Sequence, residues 1–260
     1  DPLASLRGVS VTKRVHERRA LTDDESARLI HAAECGTPWR KLSGRDRAAL
    51  YRVALGTGIR RGELASLTPA DFDLDPGAPT ITVRAAYSKR RRDDTQPIHP
   101  DLARWLTSWL AERPAHAPLW NLHRDTGPQL RADLDAARAP WEAEATTDAD
   151  RDARRREPSF LRTPDAAGRV VDFHALRHTF VSGIVASGAS VKVAQELARH
   201  SPPTLTIGAY AHVRLADLRS ALPTVPTSPS TPQSETVTLA ATGTDYTHAA
   251  EANHHAGIAD

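Results

Sequence analysis

The sequence predicts a mainly α fold with a small antiparallel β-hairpin or sheet near its middle, an α+β arrangement. Three observations support this. Apolar residues recur at helical spacing in several segments, from Leu29, Ile30 and Ala33 to Phe180, Val181 and Ile184. One β-rich run, Thr80 to Tyr87 (TITVRAAY), passes through a charged connection, Ser88 to Thr95, into Gln96–Pro97–Ile98–His99–Pro100, the pattern of a hairpin with a long basic tip. A chain of 260 residues, 40% hydrophobic and 25% charged, can also bury a substantial core.

Residues 1–20 form a polar lead-in without a clear period. The first helix starts at Leu21–Thr22–Asp23–Asp24–Glu25, where Thr22 as N-cap and Glu25 three residues later make a capping box, and Gly36 and Pro38 end it. A largely buried helix runs from about Arg45 to Leu55 and breaks at Gly56–Thr57–Gly58, after which Ile59–Arg60–Arg61–Gly62–Glu63–Leu64 begins a short third helix ending near Leu67. After the hairpin, Leu102, Trp105, Leu106, Trp109 and Leu110 mark one face of a helix from Asp101 to Arg113. Another helix spans Leu130 to Arg138. Residues Ala143 to Glu157 are charged and aperiodic, which reads as a mobile surface loop. A last helix is expected over Leu215 to Leu222. Residues 223–260, rich in Thr, Ser, Pro and Ala, read as a disordered tail in which His254 and His255 are incidental.

The chemistry is concentrated between Asp172 and Val213. His174, Arg177 and His178 share a helix face, and Arg199, His200 and Tyr210 follow. Arginine, histidine and tyrosine together, with no carboxylate among them, suit a phosphate: Arg binds its oxygens bidentately, His hydrogen-bonds or moves protons, and Tyr offers a hydroxyl nucleophile. The net charge of +2 does not by itself announce a nucleic-acid binder. Its distribution says more, because Lys89, Arg90, Arg91 and Arg92 are consecutive, Arg84 is near, and Arg60 and Arg61 adjoin. Asp93 and Asp94 partly neutralise that run. The single Cys35 excludes an internal disulfide and fits a reducing cytosol. No apolar run approaches the ~20 residues that span a bilayer, and a chain starting at Asp1 and lacking Met reads as a fragment.

Four blocks, in order, resemble the catalytic domain of the tyrosine recombinases, the phage-integrase family. They are Thr57–Gly58–Ile59–Arg60–Arg61–Gly62–Glu63–Leu64, the region around Lys89, His174–Ala175–Leu176–Arg177–His178–Thr179–Phe180, and Leu197–Ala198–Arg199–His200–Ser201 through Tyr210–Ala211–His212. The resemblance covers Leu21 to Leu222 and implies a catalytic domain over 21–222. It makes 1–20 the remnant of a linker from a missing N-terminal core-binding domain.

The implied activity is site-specific DNA recombination by an integrase of a mobile element, through a 3′-phosphotyrosine intermediate. By this resemblance Arg60, Lys89, His174, Arg177, His200 and Tyr210 are catalytic: Tyr210 the nucleophile, Arg60 and Arg177 the phosphate clamp, Lys89 the general acid. His200 would add a hydrogen bond to the phosphate, and His174 would orient Tyr210 or accept its proton. Glu63 would orient Arg60, with His178 in support, and Arg61, Arg84, Arg90, Arg91 and Arg92 would contact DNA. The family uses no metal and no nucleotide cofactor, acts on double-stranded DNA as a homotetramer on paired sites, can recruit DNA-bending accessory proteins, and works in the cytoplasm at the nucleoid. The segment after Tyr210 would pack on a neighbouring protomer.

Taken singly, each residue has an ordinary reading, since most Tyr and His side chains merely pack or face solvent. Two other functions share the motif: type IB topoisomerase-like relaxation, and a decayed DNA-binding remnant without activity. One departure stands out. The family commonly has Gly where this chain has Arg199, whose side chain either adds bulk and charge beside the phosphate or points outward.

Overall fold

The computed structural model describes residues 17–88 and 91–199. Lys89, Arg90, His200, Tyr210, the helix expected over Leu215 to Leu222 and the expected disordered tail lie outside them. Helix α1 (Asp23–Cys35) starts as the capping box requires. Thr22 Oγ1 accepts from the Glu25 N–H at 3.2 Å, and Glu25 Oε2 accepts from the Thr22 N–H at 2.9 Å. The same carboxylate also takes both terminal nitrogens of Arg19 and the Leu161 N–H at 2.6 Å. One capping residue therefore ties the lead-in and a distant loop to the first helix.

Helix α2 (Gly44–Thr57) is apolar on almost every side, and it runs through the centre of the core. Ala48, Ala49, Leu50, Val53 and Ala54 are buried. Its buried polar anchor is Asp133, which accepts from Tyr51 Oη at 2.7 Å and from the Arg47 guanidinium at 3.2 Å. Burial, then the adjacent Asp133 charge, push the Tyr51 hydroxyl well above its ordinary range, so it remains a donor. The helix extends two residues beyond the expected break. It ends at Gly58, which takes φ 61°, the left-handed conformation that glycine adopts without steric cost. Helix α3 (Arg61–Leu64) follows directly and is shorter than expected.

Three antiparallel strands follow in the order β1 (Phe72–Asp73), β2 (Thr80–Val83) and β3 (Asp94–Pro97). Ile81 faces Gln96 and Val83 faces Asp94 across the hairpin. The β-rich run is a strand only to Val83. Arg84 to Ser88 turn, with the Arg84 carbonyl accepting from Tyr87 and Ser88. Strand β1 escaped the sequence reading because two residues carry no alternation to detect. Gln96 Nε2 donates to the Thr57 carbonyl at 2.9 Å, fastening the hairpin base to the end of α2.

Helix α4 (Pro100–Leu110) packs Leu106 and Trp109 inward, and Trp109 stacks on Trp120 at 5.4 Å. Helix α5 (Gly127–Ala143) carries Asp133 into the core. The expected loop from Ala143 to Glu157 is corrected: it holds helix α6 (Asp148–Arg156). This helix needs no apolar stripe. Thr147 caps it, Asp148 and Asp150 lie in its first turn, and Arg154, Arg155 and Arg156 in its last, matching the helix dipole at both ends. Arg138 of α5 then donates to the carbonyls of Arg154 at 2.7 Å and Glu157 at 2.9 Å, adding a charged donor to the C-terminal end of the helix.

Helices α7 (Phe173–Ala186) and α8 (Val191–Leu197) form the expected pair, with Phe173, Leu176 and Val181 buried. Among the described residues no helix is long and apolar enough to cross a membrane. Asp133→Ala leaves the Arg47 charge buried without its partner. It should cost about 3–5 kcal/mol in urea unfolding, whereas Asp148→Ala on the exposed end of α6 should cost under about 1 kcal/mol.

Candidate phosphate-binding site

The site is assembled where the end of α2, the start of α3 and the faces of α7 and α8 meet. Arg177, on α7 and only 4% exposed, donates through one terminal nitrogen to the Gly58 carbonyl and through the other to the Ala198 carbonyl. It joins three elements through main-chain oxygens and spends no carboxylate. A side chain at Gly58 would strain the backbone and run into the Phe180 ring, so the close approach of α2 to α7 depends on that glycine.

Arg60 is the N-cap of α3. Its N–H donates to Glu63 Oε2 at 3.0 Å, and its Nη1 donates to Glu63 Oε1 at 3.1 Å. The expected pairing of these residues, three apart in sequence, is thus present. Glu63 is only 3% exposed and also receives the Arg199 guanidinium. Arg199 itself is 2% exposed, so of the two orientations considered for it the outward one is overturned. It takes φ 51° at the end of α8, the left-handed region that favours glycine.

Two guanidinium groups thus pair with one carboxylate, and a third, Arg177, lies near enough to feel its charge. Burial alone would push the Glu63 acid up; Arg199, the Arg60 N–H and the Arg60 guanidinium outweigh it and hold the group below the usual carboxylate range. Arg177 is pushed down to about 10, first by burial and then by Arg60 and Arg199, with Glu63 opposing. The site therefore stores positive charge that its own carboxylate does not balance.

A cleft of about 430 Å³ opens beside this cluster, lined by Arg60, Arg61, Arg124, Arg131, His174 and Arg177 among others, with Asp125 and Asp172 on its wall. His174 is accessible at the cleft surface yet closely walled by protein. That desolvation, followed by Arg18 and Arg177, holds its imidazole below the ordinary value against the pull of Asp172. Asp172 is occupied by Arg18 at 2.8 Å and by the Ala175 N–H at 3.0 Å, where it caps α7.

The structure thus brings together Arg60, Glu63, His174 and Arg177, with Arg61 on the cleft wall, where it also donates to the His123 carbonyl. His178 is half-buried on α7 and does not line the cleft. Arg84 is bonded to Asp71 at 2.6 Å, while Arg91 and Arg92 are exposed on the hairpin connection. Arg124 and Arg131 were missed, because an arginine before a helix and one in its second turn look like any solvated pair.

Glu63 also sets a pH dependence. Its depressed pKa means that its stabilisation is complete above the unfolded value of about 4.3 and is lost as pH falls through the lower folded value. Glu63→Gln should cost about 3–5 kcal/mol at pH 7, and in denaturant unfolding the difference from the parent should shrink at pH 4 and below. A difference independent of pH would contradict the assignment.

Comparison with known proteins fits this geometry. The model of the phage integrase family matches residues 19–216. The tyrosine recombinase XerA of Thermococcus kodakarensis is 30% identical over 203 residues, which are 78% of this chain and 61% of that protein. The tyrosine recombinase XerC of Mycobacterium tuberculosis is 29% identical over 223 residues, 85% of this chain and 66% of that protein. The chain thus spans about two thirds or less of the curated relatives it matches. Among solved structures, the XerH site-specific recombinase bound to palindromic difH substrate, a post-cleavage complex, superposes with a TM-score of 0.54 at 19% identity, over 84% of this chain and 56% of that one. Motifs, fold and family match agree: the chain belongs to the phage integrase family.

Proposed function

We propose that the protein cleaves and rejoins double-stranded DNA at specific sites, with residues 21–222 as its catalytic domain. The observation that carries this reading is the convergence of Arg60, Arg177 and His174 on one cleft with excess positive charge. A phosphodiester is an anion, and the pentacoordinate state formed during attack carries more negative charge, so fixed guanidinium groups favour the transition state over the ground state.

In the proposed reaction Tyr210 Oη attacks the phosphorus as its proton leaves, with His174 as the acceptor or orienting group. The bond to the 5′-oxygen breaks, and Lys89 supplies the proton that makes it a hydroxyl. The product is a 3′-phosphotyrosine that conserves the phosphoester energy, and a 5′-hydroxyl from a second strand reverses the step. His200 adds a hydrogen bond to the phosphate. Arg61, Arg84, Arg90, Arg91 and Arg92 contact flanking phosphates, Arg84 by exchanging its bond to Asp71 for one to DNA. The Tn1549 transposon integrase in complex with transposon right end DNA, which this chain resembles in fold, supports DNA as the partner. Assembly as a homotetramer on paired sites, help from DNA-bending proteins, work at the nucleoid and origin in a mobile element belong to the same proposal.

The test is a nicked duplex carrying the sequence that flanks the gene, incubated with full-length protein and resolved on a denaturing gel. A covalent protein–DNA band is expected, together with its loss in Tyr210→Phe. Binding of DNA with no such band would instead indicate a DNA-binding remnant, and relaxation of supercoiled plasmid lacking a paired site would indicate topoisomerase-like activity.

A further inference from the structure

We propose that Arg199 is a positioning residue, which sets the Arg60 guanidinium through Glu63 and ties that pair to Asp94, where the basic connection of the hairpin enters β3. Four observations carry this. Arg199 is nearly inaccessible, yet it is charged and sits just past α8, one residue beyond the Ala198 C-cap. Its Nη2 pairs with Glu63 Oε2, the same oxygen that accepts the Arg60 N–H, so any shift of Arg199 moves the carboxylate that orients Arg60. Its Nη1 lies 3.8 Å from Asp94 Oδ2, and Asp94 opens β3 on the side of the hairpin that follows Lys89 in sequence. Finally, the residue holds φ 51°, a conformation that costs a side-chain-bearing residue about 1 kcal/mol or more. The chain bears that strain at a position from which the guanidinium reaches both carboxylates.

The alternative carriers of this function are already committed. Arg177 is bonded to the carbonyls of Gly58 and Ala198, and Arg60 faces the cleft. Without Arg199, Glu63 would form an ion pair with Arg60 alone and Asp94 would lose its ion pair to Arg199. Among the described residues, two of the Arg199 nitrogens, Nε and Nη1, have no hydrogen-bond partner. The ion pairs to Glu63 and Asp94 are therefore what holds this group in place. Positioning of this kind affects the chemical step more than binding, because Arg199 is buried and does not line the cleft.

This inference rests on the DNA-cleavage reading above, and its test separates the two. Arg199→Gly suits the left-handed backbone, so it removes the guanidinium while keeping the local conformation. In full-length protein on the nicked duplex, Arg199→Gly should slow covalent trapping by about tenfold or more while leaving affinity for a short nonspecific duplex within about twofold. Arg199→Lys should recover part of the rate. The double variant Arg199→Gly/Glu63→Gln should be no slower than the slower single variant, because both act through one pair. Trapping at the parent rate, or a loss that follows DNA affinity or thermal stability, overturns the proposal.

Should the parent form no covalent band, the functional reading falls but this inference is still decided. The NMR signal of the Arg60 side-chain N–H, assigned through Arg60→Lys, should exchange faster with solvent in Arg199→Gly if Arg199 sets its geometry. An unchanged signal overturns it.

Discussion

The carboxylate of Glu63 lies buried among Arg60, Arg177 and Arg199, and the geometry of the cleft follows from how that one negative charge is shared. One oxygen takes the Arg60 side chain, and the other takes the Arg60 N–H and the Arg199 guanidinium. Arg177 receives no carboxylate and is held by two carbonyls. A buried ion pair is weak evidence for stability, since desolvation offsets much of the attraction. Here the arrangement makes sense as preparation for an anion. Positive charge left in surplus by the fold is available to a phosphate without reorganisation.

Everything around that carboxylate serves to bring its partners within reach. Gly58 ends α2 in a conformation that lets Phe180 pack against it, and α7 therefore passes close enough for Arg177 to reach back. Arg60 follows two residues after Gly58 as the N-cap of α3, and its side chain and N–H both meet Glu63 three positions on. The hairpin is attached to this corner through Gln96 on the Thr57 carbonyl and through Asp94 near Arg199. Core packing, through the Arg47–Asp133–Tyr51 cluster that joins α2 to α5, holds the corner rigid from behind.

Much of this was legible in the sequence, for local reasons. The capping box at Thr22 and Glu25 is spelled out in four residues, and the helical period of Phe173, Leu176 and Val181 predicts which face of α7 is buried. The spacing of Arg60 and Glu63 predicts their pairing. What was hidden depends on groups distant in sequence. Helix α6 looked like a loop because it is stabilised by end charges and by Arg138 from another helix. Strand β1 is too short to alternate. Arg199 could be placed inside or outside equally well until Glu63, 136 residues away, was seen to face it. Arg124 and Arg131 join the cleft only because α5 begins on its rim.

The central claim is that stored positive charge in this cleft acts on the charge of a phosphate, and it is tested by neutralising that charge on the substrate. Cleavage rates would be compared for a phosphodiester and a methylphosphonate at the scissile position, in the parent and in Arg177→Ala. The account predicts that Arg177→Ala lowers the phosphodiester rate by about a hundredfold or more and the methylphosphonate rate by much less, because the neutral linkage develops less charge for the guanidinium to stabilise. Equal losses on both substrates would show that Arg177 only supports the fold, and the electrostatic account of the cleft would be wrong.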